Sequence, residues 1–404
     1  VEVTMAHKYR TTLSDGSISG GPMYYIEKSF NKRWAGVLFA ALMMICAIGS
    51  GNMPQINNIA SVLDSTFTIP KLATGLILGF MLWLIISGGI KRIAKIASKL
   101  VPFMAVIYFG GALVVVLENY QNIIPSFHSI FSQVFSGSAA AGGFLGASFA
   151  MSLKLGVARG LYSNEAGQGS SPIAHASAKT EHSVEQGMVS ILEPFIDTIV
   201  VCSVTALVIL SSGAWIQKYD NTFERSSMAI FAGEYSESNS NDVEELGKYI
   251  LDARKFTNNT TSVENFSGNL QIANGEIIDS SVTVKGKSLI HSAELTSKAF
   301  GSGVLGKYGE YIVAIGLLLF AFSTAIAWSY YGDRSTAYIF GENAVPWYRM
   351  IYVICFIAAA VIDTTVVWNI AYVVVALVTI PNLFALFILR KEMKEQVTSY
   401  VIEK

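Results

Sequence analysis

AAAGGFLGASFAMSLKLGVARGLYSNEAGQGSSPIAHASAKT, Ala139–Thr180, is the stretch that decides the fold. It is apolar enough to enter a bilayer, yet too long for one crossing, which takes roughly 20 residues. Gly156, Gly160, Gly167 and Gly169 are poor helix formers, and Pro172 removes a backbone donor. Ser163, Asn164, Glu165, Gln168, Ser170 and Ser171 would be costly against lipid. Non-helical backbone at that depth persists only inside protein or along a wet cavity. The expectation is a broken helix, unwound between Gly156 and Pro172, whose halves meet near the midplane. The N-terminus of one half suits a carboxylate, and the carbonyls ending the other suit Na⁺. A structural kink without a ligand is the alternative. Gly167-Gln168-Gly169-Ser170-Ser171 does not match the Gly-x-Ser-x-Gly nucleophile turn, and no strand precedes it.

The rest of the chain has the same character. Of its 404 residues, 52% are hydrophobic and only 14% charged, against about 25% charged in soluble domains. Mean hydropathy is +0.47. Apolar residues gather in eight runs: Trp34–Leu63, Leu72–Ile90, Leu100–Leu117, Ala139–Ala178, Gly187–Ser212, Tyr311–Tyr331, Tyr348–Ile362 and Trp368–Leu389. Eight such runs exceed what one soluble core could use. Lipid gives the backbone no hydrogen-bond partners, so the runs are expected to be helices. The fold class is therefore an all-α polytopic membrane protein of about eight spans, with the lipid bilayer as its surroundings. A net charge of −1 speaks against nucleic acid as a partner. Cys46, Cys202 and Cys355 lie inside apolar runs, where cysteine is a small hydrophobe.

Lysine and arginine set the orientation. Lys8, Arg10, Lys28, Lys32 and Arg33 flank the first run; Lys91, Arg92, Lys95 and Lys99 follow the second. Lys179, Arg334 and Arg349 fall on the same side, and so do Arg390, Lys391 and Lys394 after the last run. The opposite short loops hold only Lys71. Both chain ends are thus expected in the cytoplasm. The polar segment Gly213–Gly309 then lies outside. Asn274-Gly275, between GNLQI and EIIDSSVTV, signals a small β-hairpin there. Ser14-Asp15-Gly16-Ser17 reads as a turn before a short amphipathic helix on the cytoplasmic side.

Ionisable groups inside apolar runs are functional hypotheses. Arg159 is expected to pair with Asp197 or Glu165. Glu193 and Asp197 are four residues apart and share a helix face. A salt bridge locking two helices and a cation or proton site both remain open for this group. Asn52, Gln55 and Asn58 recur at helical spacing, which suits either a ligand-facing surface or interhelical hydrogen bonding. Ser323 and Thr324 offer hydroxyl oxygens to a weakly held Na⁺, or bonds back to their own helix. His7, His128, His182 and His291 read as loop residues without a ligand pattern.

Seven stretches together resemble the alanine or glycine:cation symporter family, also called sodium:alanine symporters. They are GGPMYYIEK (Gly20–Lys28), GNMPQ (Gly51–Gln55), VPFMAVIY (Val101–Tyr108), GVARGLYSNEAGQGSSPIAHASAKT (Gly156–Thr180), EPFIDTIVVCSVTALVIL (Glu193–Leu210), VAIGLLLFAFSTAIAWSYYGDR (Val313–Arg334) and IPNLFALFIL (Ile380–Leu389). The resemblance implies the LeuT-type fold of two inverted five-helix repeats. Residues 1–138 would end the first repeat, and 139–404, with the insertion 213–309, would form the second. It also implies coupling to Na⁺, with H⁺ as the alternative, a small neutral amino acid (alanine or glycine) as substrate, no enzymatic reaction and no other cofactor.

Carried over by position, Asn52, Gln55, Gly156, Gly160, Ser163, Asn164 and Gly167 would contact substrate; Trp328, by its bulk, would wall the pocket or serve as packing or an interfacial anchor. Ser323 and Thr324 would hold Na⁺. Arg159, Glu165 and Asp197 would form a coupling or structural group. The family's other broken helix would precede Val1, so the first repeat is expected to be incomplete here, and the chain alone is expected not to transport. A channel would need a repeated filter sequence, and none is visible. An intramembrane enzyme would need a catalytic pair, and Ser152 and Lys154 do not share a helix face.

Overall fold

A computed structural model describes residues 1–13, 16–134, 149–222, 233–236, 254–255, 264–265, 269–273, 276–277, 284–290 and 292–403. Side chains are described for these apart from 90–91, 133–134, 149–155, 220–222, 403 and the strands between 233 and 288. The chain forms two compact units: Val1–Leu113 with Lys154–Ala206 and Glu310–Lys404, and Val114–Leu153 with Leu207–Gly309.

Helices come in chain order as α1 (Glu2–Lys8), α2 (Pro22–Phe30), α3 (Arg33–Gly49), α4 (Met53–Phe67), α5 (Lys71–Ile86), α6 (Gly89–Glu118) and α7 (Ile123–Val134). They continue as α8 (Phe149–Asn164), α9 (Ser171–His175), α10 (Ser183–Val189), α11 (Leu192–Pro194) and α12 (Cys202–Ser211). The last four are α13 (Ser292–Gly301), α14 (Lys307–Phe340), α15 (Val345–Ala359) and α16 (Thr364–Glu403). Among the described residues, five helical segments are long and apolar enough to cross a membrane: Arg33–Phe67, Arg92–Glu118, Ser183–Ser211, Lys307–Phe340 and Thr364–Ile402. The shorter Lys71–Ile86 is also apolar.

Burial in the first unit follows the logic of a lipid-soluble bundle. Leu76, Ile77, Phe80, Trp83, Phe384 and Phe387 are exposed, as side chains facing hydrocarbon would be. Tyr25, Phe39, Tyr352 and Phe356 are fully buried. Buried polar residues lie inside with them, among them Asn52, Asn57, Ser329, Asp333 and Asn382. Close helix approach uses small residues. A Cβ added at Gly75 would lie 2.8 Å from the Cβ of Ala360, and one at Gly79 2.5 Å from Cγ1 of Ile357. One buried ion pair ties α14 to α15. Nε and Nη2 of Arg349 donate to Oδ2 of Asp333 at 2.9 and 2.6 Å.

The apolar run Trp34–Leu63 is two helices rather than one. α3 ends at Gly49, and α4 restarts at Met53 with Pro54 in its first turn, where its missing N–H costs nothing. The predicted amphipathic helix is α2, ended by Asn31 in the left-handed region (φ 50°). His7 departs from the loop reading: it is 5% exposed within α1.

In the second unit, Nδ2 of Asn122 donates to the carbonyl of Ser211 at 2.8 Å. The carboxylate of Glu118 accepts from the backbone N–H of Val304 at 2.9 Å. The segment expected to carry one hairpin carries two sheets, so the fold is mostly helical rather than all-α. Strands Tyr219–Thr222, Val284–Ser288, Arg254–Lys255 and Glu264–Asn265 pair in that order. Gly233–Ser236, Asn269–Ala273 and Glu276–Ile277 form the other sheet. In the latter, Ala273 opposes Glu276 and Ile272 opposes Ile277 in antiparallel register, the register of a two-residue turn. The turn itself, Asn274-Gly275, lies outside the described residues.

Candidate functional site

The break predicted in Ala139–Ala178 is present and narrower than expected. α8 runs unbroken through Gly156 and Gly160 and ends at Asn164; α9 begins at Ser171. Between them the chain turns on three left-handed residues, Glu165 (φ 55°), Gly167 (φ 87°) and Gly169 (φ 79°). Gly156 and Gly160 therefore lie in a continuous helix and are not part of the unwound segment. A helix tolerates a glycine at about 1 kcal/mol, whereas a reversal needs positive φ. At Gly169 a Cβ would also fall 2.5 Å from Cγ of Pro22 and 2.8 Å from Cζ of Phe39.

One side of the turn is already bonded by protein. The carbonyl of Gly167 accepts from Nδ2 of Asn382 at 2.9 Å, and that amide also donates to Oε1 of Glu2 at 3.0 Å. Tyr25 donates its hydroxyl to Oδ1 of Asn382. The Glu2 carboxylate is thus held beside the turn through Asn382.

The other side of the turn presents Glu165. Its Oε2 accepts from Oγ of Ser170 at 2.6 Å, and its Oε1 from Nε1 of Trp328 at 3.2 Å. Among the described residues no Lys or Arg bonds to it. Trp328 links this turn to the α3–α4 break. A Cβ at Gly51 would lie 2.2 Å from Cγ and Cδ2 of Trp328, so only glycine lets the indole sit there. Oη of Tyr162 closes the circle by donating to the carbonyl of Ser50 at 2.8 Å, with Nε2 of Gln55 3.3 Å from that hydroxyl. The two breaks, residues 50–52 and 165–170, thus share Trp328, and Tyr162 ties α8, the helix that leads into the second, to the first.

The remaining candidates divide. Asn52 is fully buried and donates Nδ2 to the carbonyl of Tyr352 at 2.7 Å, while among the described residues its Oδ1 has no hydrogen-bond partner. Asn58 bonds back to the carbonyl of Pro54 at 2.8 Å. Ser163 donates to Asp197, and Asn164 donates to Oγ1 of Thr198 at 3.1 Å. Asp197 sits in a π-helical turn, Phe195–Val201, a local widening common at functional sites. Arg159 pairs with neither Asp197 nor Glu165. Its guanidinium stacks 3.7 Å from the ring centroid of Trp368, a cation–π contact. Glu193 instead accepts from Oγ of Ser171 at 2.6 Å and lies 3.3 Å from Nε2 of His175. Ser323 and Thr324 bond back to the carbonyl of Phe320 at 2.8 and 3.0 Å. Their oxygens keep lone pairs for a further acceptor role. The side chain of Lys154 lies outside those described.

Sequence reasoning passed over Tyr162, Glu2 and Asn382. Asn382 carried a usable signal: an amide directly after Pro381 in the otherwise apolar IPNLFALFIL. Glu2 carried none, since its partners lie more than 160 residues away. At the lysine- and arginine-rich end, Nε2 of His7 lies 2.6 Å from Nη1 of Arg10 and 3.1 Å from Oγ1 of Thr180. Burial, with the Arg10 cation beside it, holds the His7 imidazole below its ordinary pKa.

Two interrupted helical paths meeting at a buried tryptophan, among bilayer-length helices, define a multi-pass membrane transporter. The sodium:alanine symporter family matches residues 1–243 and 273–404, and the chain belongs to that family. It is a transporter and not an enzyme. It is 34% identical over 400 residues to an uncharacterized transporter of Haemophilus influenzae, covering 99% of this chain and 72% of that one. The sodium/alanine symporter AgcS of Methanococcus maripaludis is 34% identical over 392 residues, 96% of this chain and 70% of its own. A probable sodium/glutamine symporter of Bacillus subtilis, GlnT, is 30% identical over 405 residues, 100% of this chain and 69% of its own.

Proposed function

We propose that the protein carries a small neutral amino acid, alanine or glycine, together with Na⁺ across the plasma (inner) membrane by alternating access. The observation that carries this reading is the meeting of the 50–52 and 165–170 breaks on Trp328. Substrate lodges beside them, with Trp328 and Gln55 as walls, and Asn52, whose Oδ1 is buried and unbonded, as a polar contact. Ser163, Asn164 and Gly167 hold the shape of the turn through Asp197, Thr198 and Asn382. Among the described residues no three His, Cys, Asp or Glu side chains converge, so neutral oxygens, those of Ser323 and Thr324 among them, fit an alkali cation better than a transition metal.

The fold we assign is the LeuT-type pair of inverted repeats, eight spans in this chain, with residues 139–404 as the second repeat and both termini cytoplasmic. Relatives named for sodium with alanine or with glutamine support a neutral amino acid as cargo. Glu165 supports a second reading, H⁺ coupling, because it is bonded only by neutral donors.

The test is alanine uptake by the intact protein in proteoliposomes, driven by a Na⁺ gradient or by a pH gradient alone. Uptake with Na⁺ and none with pH alone is expected; uptake with pH alone would select the second reading, and uptake with neither would remove both. Replacing Ser323 and Thr324 together by Ala is expected to raise the Na⁺ concentration for half-maximal uptake at least tenfold. An unchanged Na⁺ dependence would remove these hydroxyls from the cation site.

A further inference from the structure

A polar cavity of about 540 Å³ opens where the end of α1, the start of α10 and the last turns of α16 meet. Its walls differ in charge. The wall at and just past the end of α1 carries Lys8 and Arg10; the wall leading into α10 carries Glu181; the α16 wall is neutral, with Gln396 and Ser399. The two cations are held in place. Lys8 bonds Glu392 at 2.5 Å. Arg10 uses Nη1 for the carbonyls of Ala176 and Ala178 at 3.2 and 2.7 Å and for His7, which leaves the other guanidinium N–H groups for a ligand. Among the described residues, the side chains of Glu181, Gln396 and Ser399 make no hydrogen bond or ion pair. Beside Glu181, the rings of His182 and Tyr400 meet edge to face at 5.4 Å, a surface that attracts an ammonium group.

The Arg10 guanidinium across a cavity from an uncommitted carboxylate, with amide and hydroxyl groups between, complements a dipolar ion. We propose that this cavity binds a free amino acid on the lysine- and arginine-rich side of the membrane. The carboxylate goes to the Arg10 wall and the ammonium group to Glu181. This assignment rests on the reading that the transported solute is an amino acid. A ligand there bridges α1, α10 and α16 and so opposes any opening of that end that separates them. Solute accumulating on that side slows its own entry.

The test measures equilibrium binding of radiolabelled alanine to the purified intact protein. Two classes of site are expected. Glu181→Gln weakens one class at least tenfold and leaves the other; Gln396→Leu acts in the same direction; Trp328→Ala removes the class that Glu181→Gln spares. In vesicles preloaded with alanine, initial uptake falls as internal alanine rises in the parent. It does not fall in Glu181→Gln, whose KM for external alanine is unchanged. A single class, lost with Trp328→Ala and indifferent to Glu181→Gln, overturns the proposal. So does displacement of alanine from the second class by inorganic phosphate, which would mark the cavity as an anion site. A class that vanishes with Glu181→Gln in a protein that shows no uptake would sink the symport reading and leave the cavity standing. Absence of all alanine binding overturns both.

Discussion

At Gly51 the indole of Trp328 fills the space that a Cβ would need, 2.2 Å from the ring. Gly51→Ala must therefore push Trp328 away, and with it the hydrogen bond to Glu165. Overpacking of this kind costs about 1–3 kcal/mol. The expected result is an alanine KM raised at least tenfold in a protein that still purifies as a single species; an unchanged KM would place Trp328 outside the substrate site. His7 gives a pH dependence. Its pKa is lower folded than unfolded, held down by burial and then by Arg10, so near pH 6.5 the unfolded chain binds the extra proton. The stabilising effect of neutral His7 is complete above that pH and is lost as pH falls through it. Melting in detergent is expected to drop more between pH 7.5 and 5.5 in the parent than in His7→Gln; equal drops would contradict the assignment. At this scale the sequence revealed which residues were polar in apolar surroundings but not their partners. Arg159 was expected to pair with a carboxylate and stacks on Trp368 instead, because a guanidinium face stacks on an aromatic ring as readily as its edge donates to oxygen.

Breaks and joints belong to the elements. Glycine and polar density between Gly156 and Pro172 located the interruption, yet its extent depends on which residues adopt positive φ. These are Glu165, Gly167 and Gly169, and a carboxylate in that conformation is no part of a glycine signal. The α3–α4 joint was hidden because GSGNMPQ also reads as one apolar run with a proline. Asn382 joins α16 to the turn, to Glu2 and to Tyr25. Asn382→Leu leaves a buried carbonyl, a carboxylate and a hydroxyl without their partner, each costing about 1–3 kcal/mol. Thermal melting is expected to fall by several degrees or more, and substrate affinity with it if the turn shapes the site. A melting point equal to the parent's would show that the turn holds itself. The α14–α15 pair gives a second case. Arg349→Met strands Asp333, whose side chain is 1% exposed, and breaking a buried pair from one side costs about 3–5 kcal/mol. Restoring stability with Asp333→Asn in the same chain would identify the stranded charge as the cause.

For the whole molecule, apolar runs made the membrane class legible, because lipid imposes long helices. The two sheets within 213–309 were not legible beyond one hairpin, since strand order in short polar segments depends on pairings distant in sequence. The cavity at the end of α1 was equally hidden: its walls come from residues 7–10, 181–184 and 396–400. Na⁺ moving together with a zwitterion, as proposed, carries net positive charge in each cycle. Capacitive current from proteoliposomes adsorbed on a supported membrane reads this directly. Alanine added in Na⁺ buffer is predicted to give an inward positive transient that disappears when choline replaces Na⁺. The same transient in choline, or alanine uptake in Na⁺ with no charge movement, would contradict the claim.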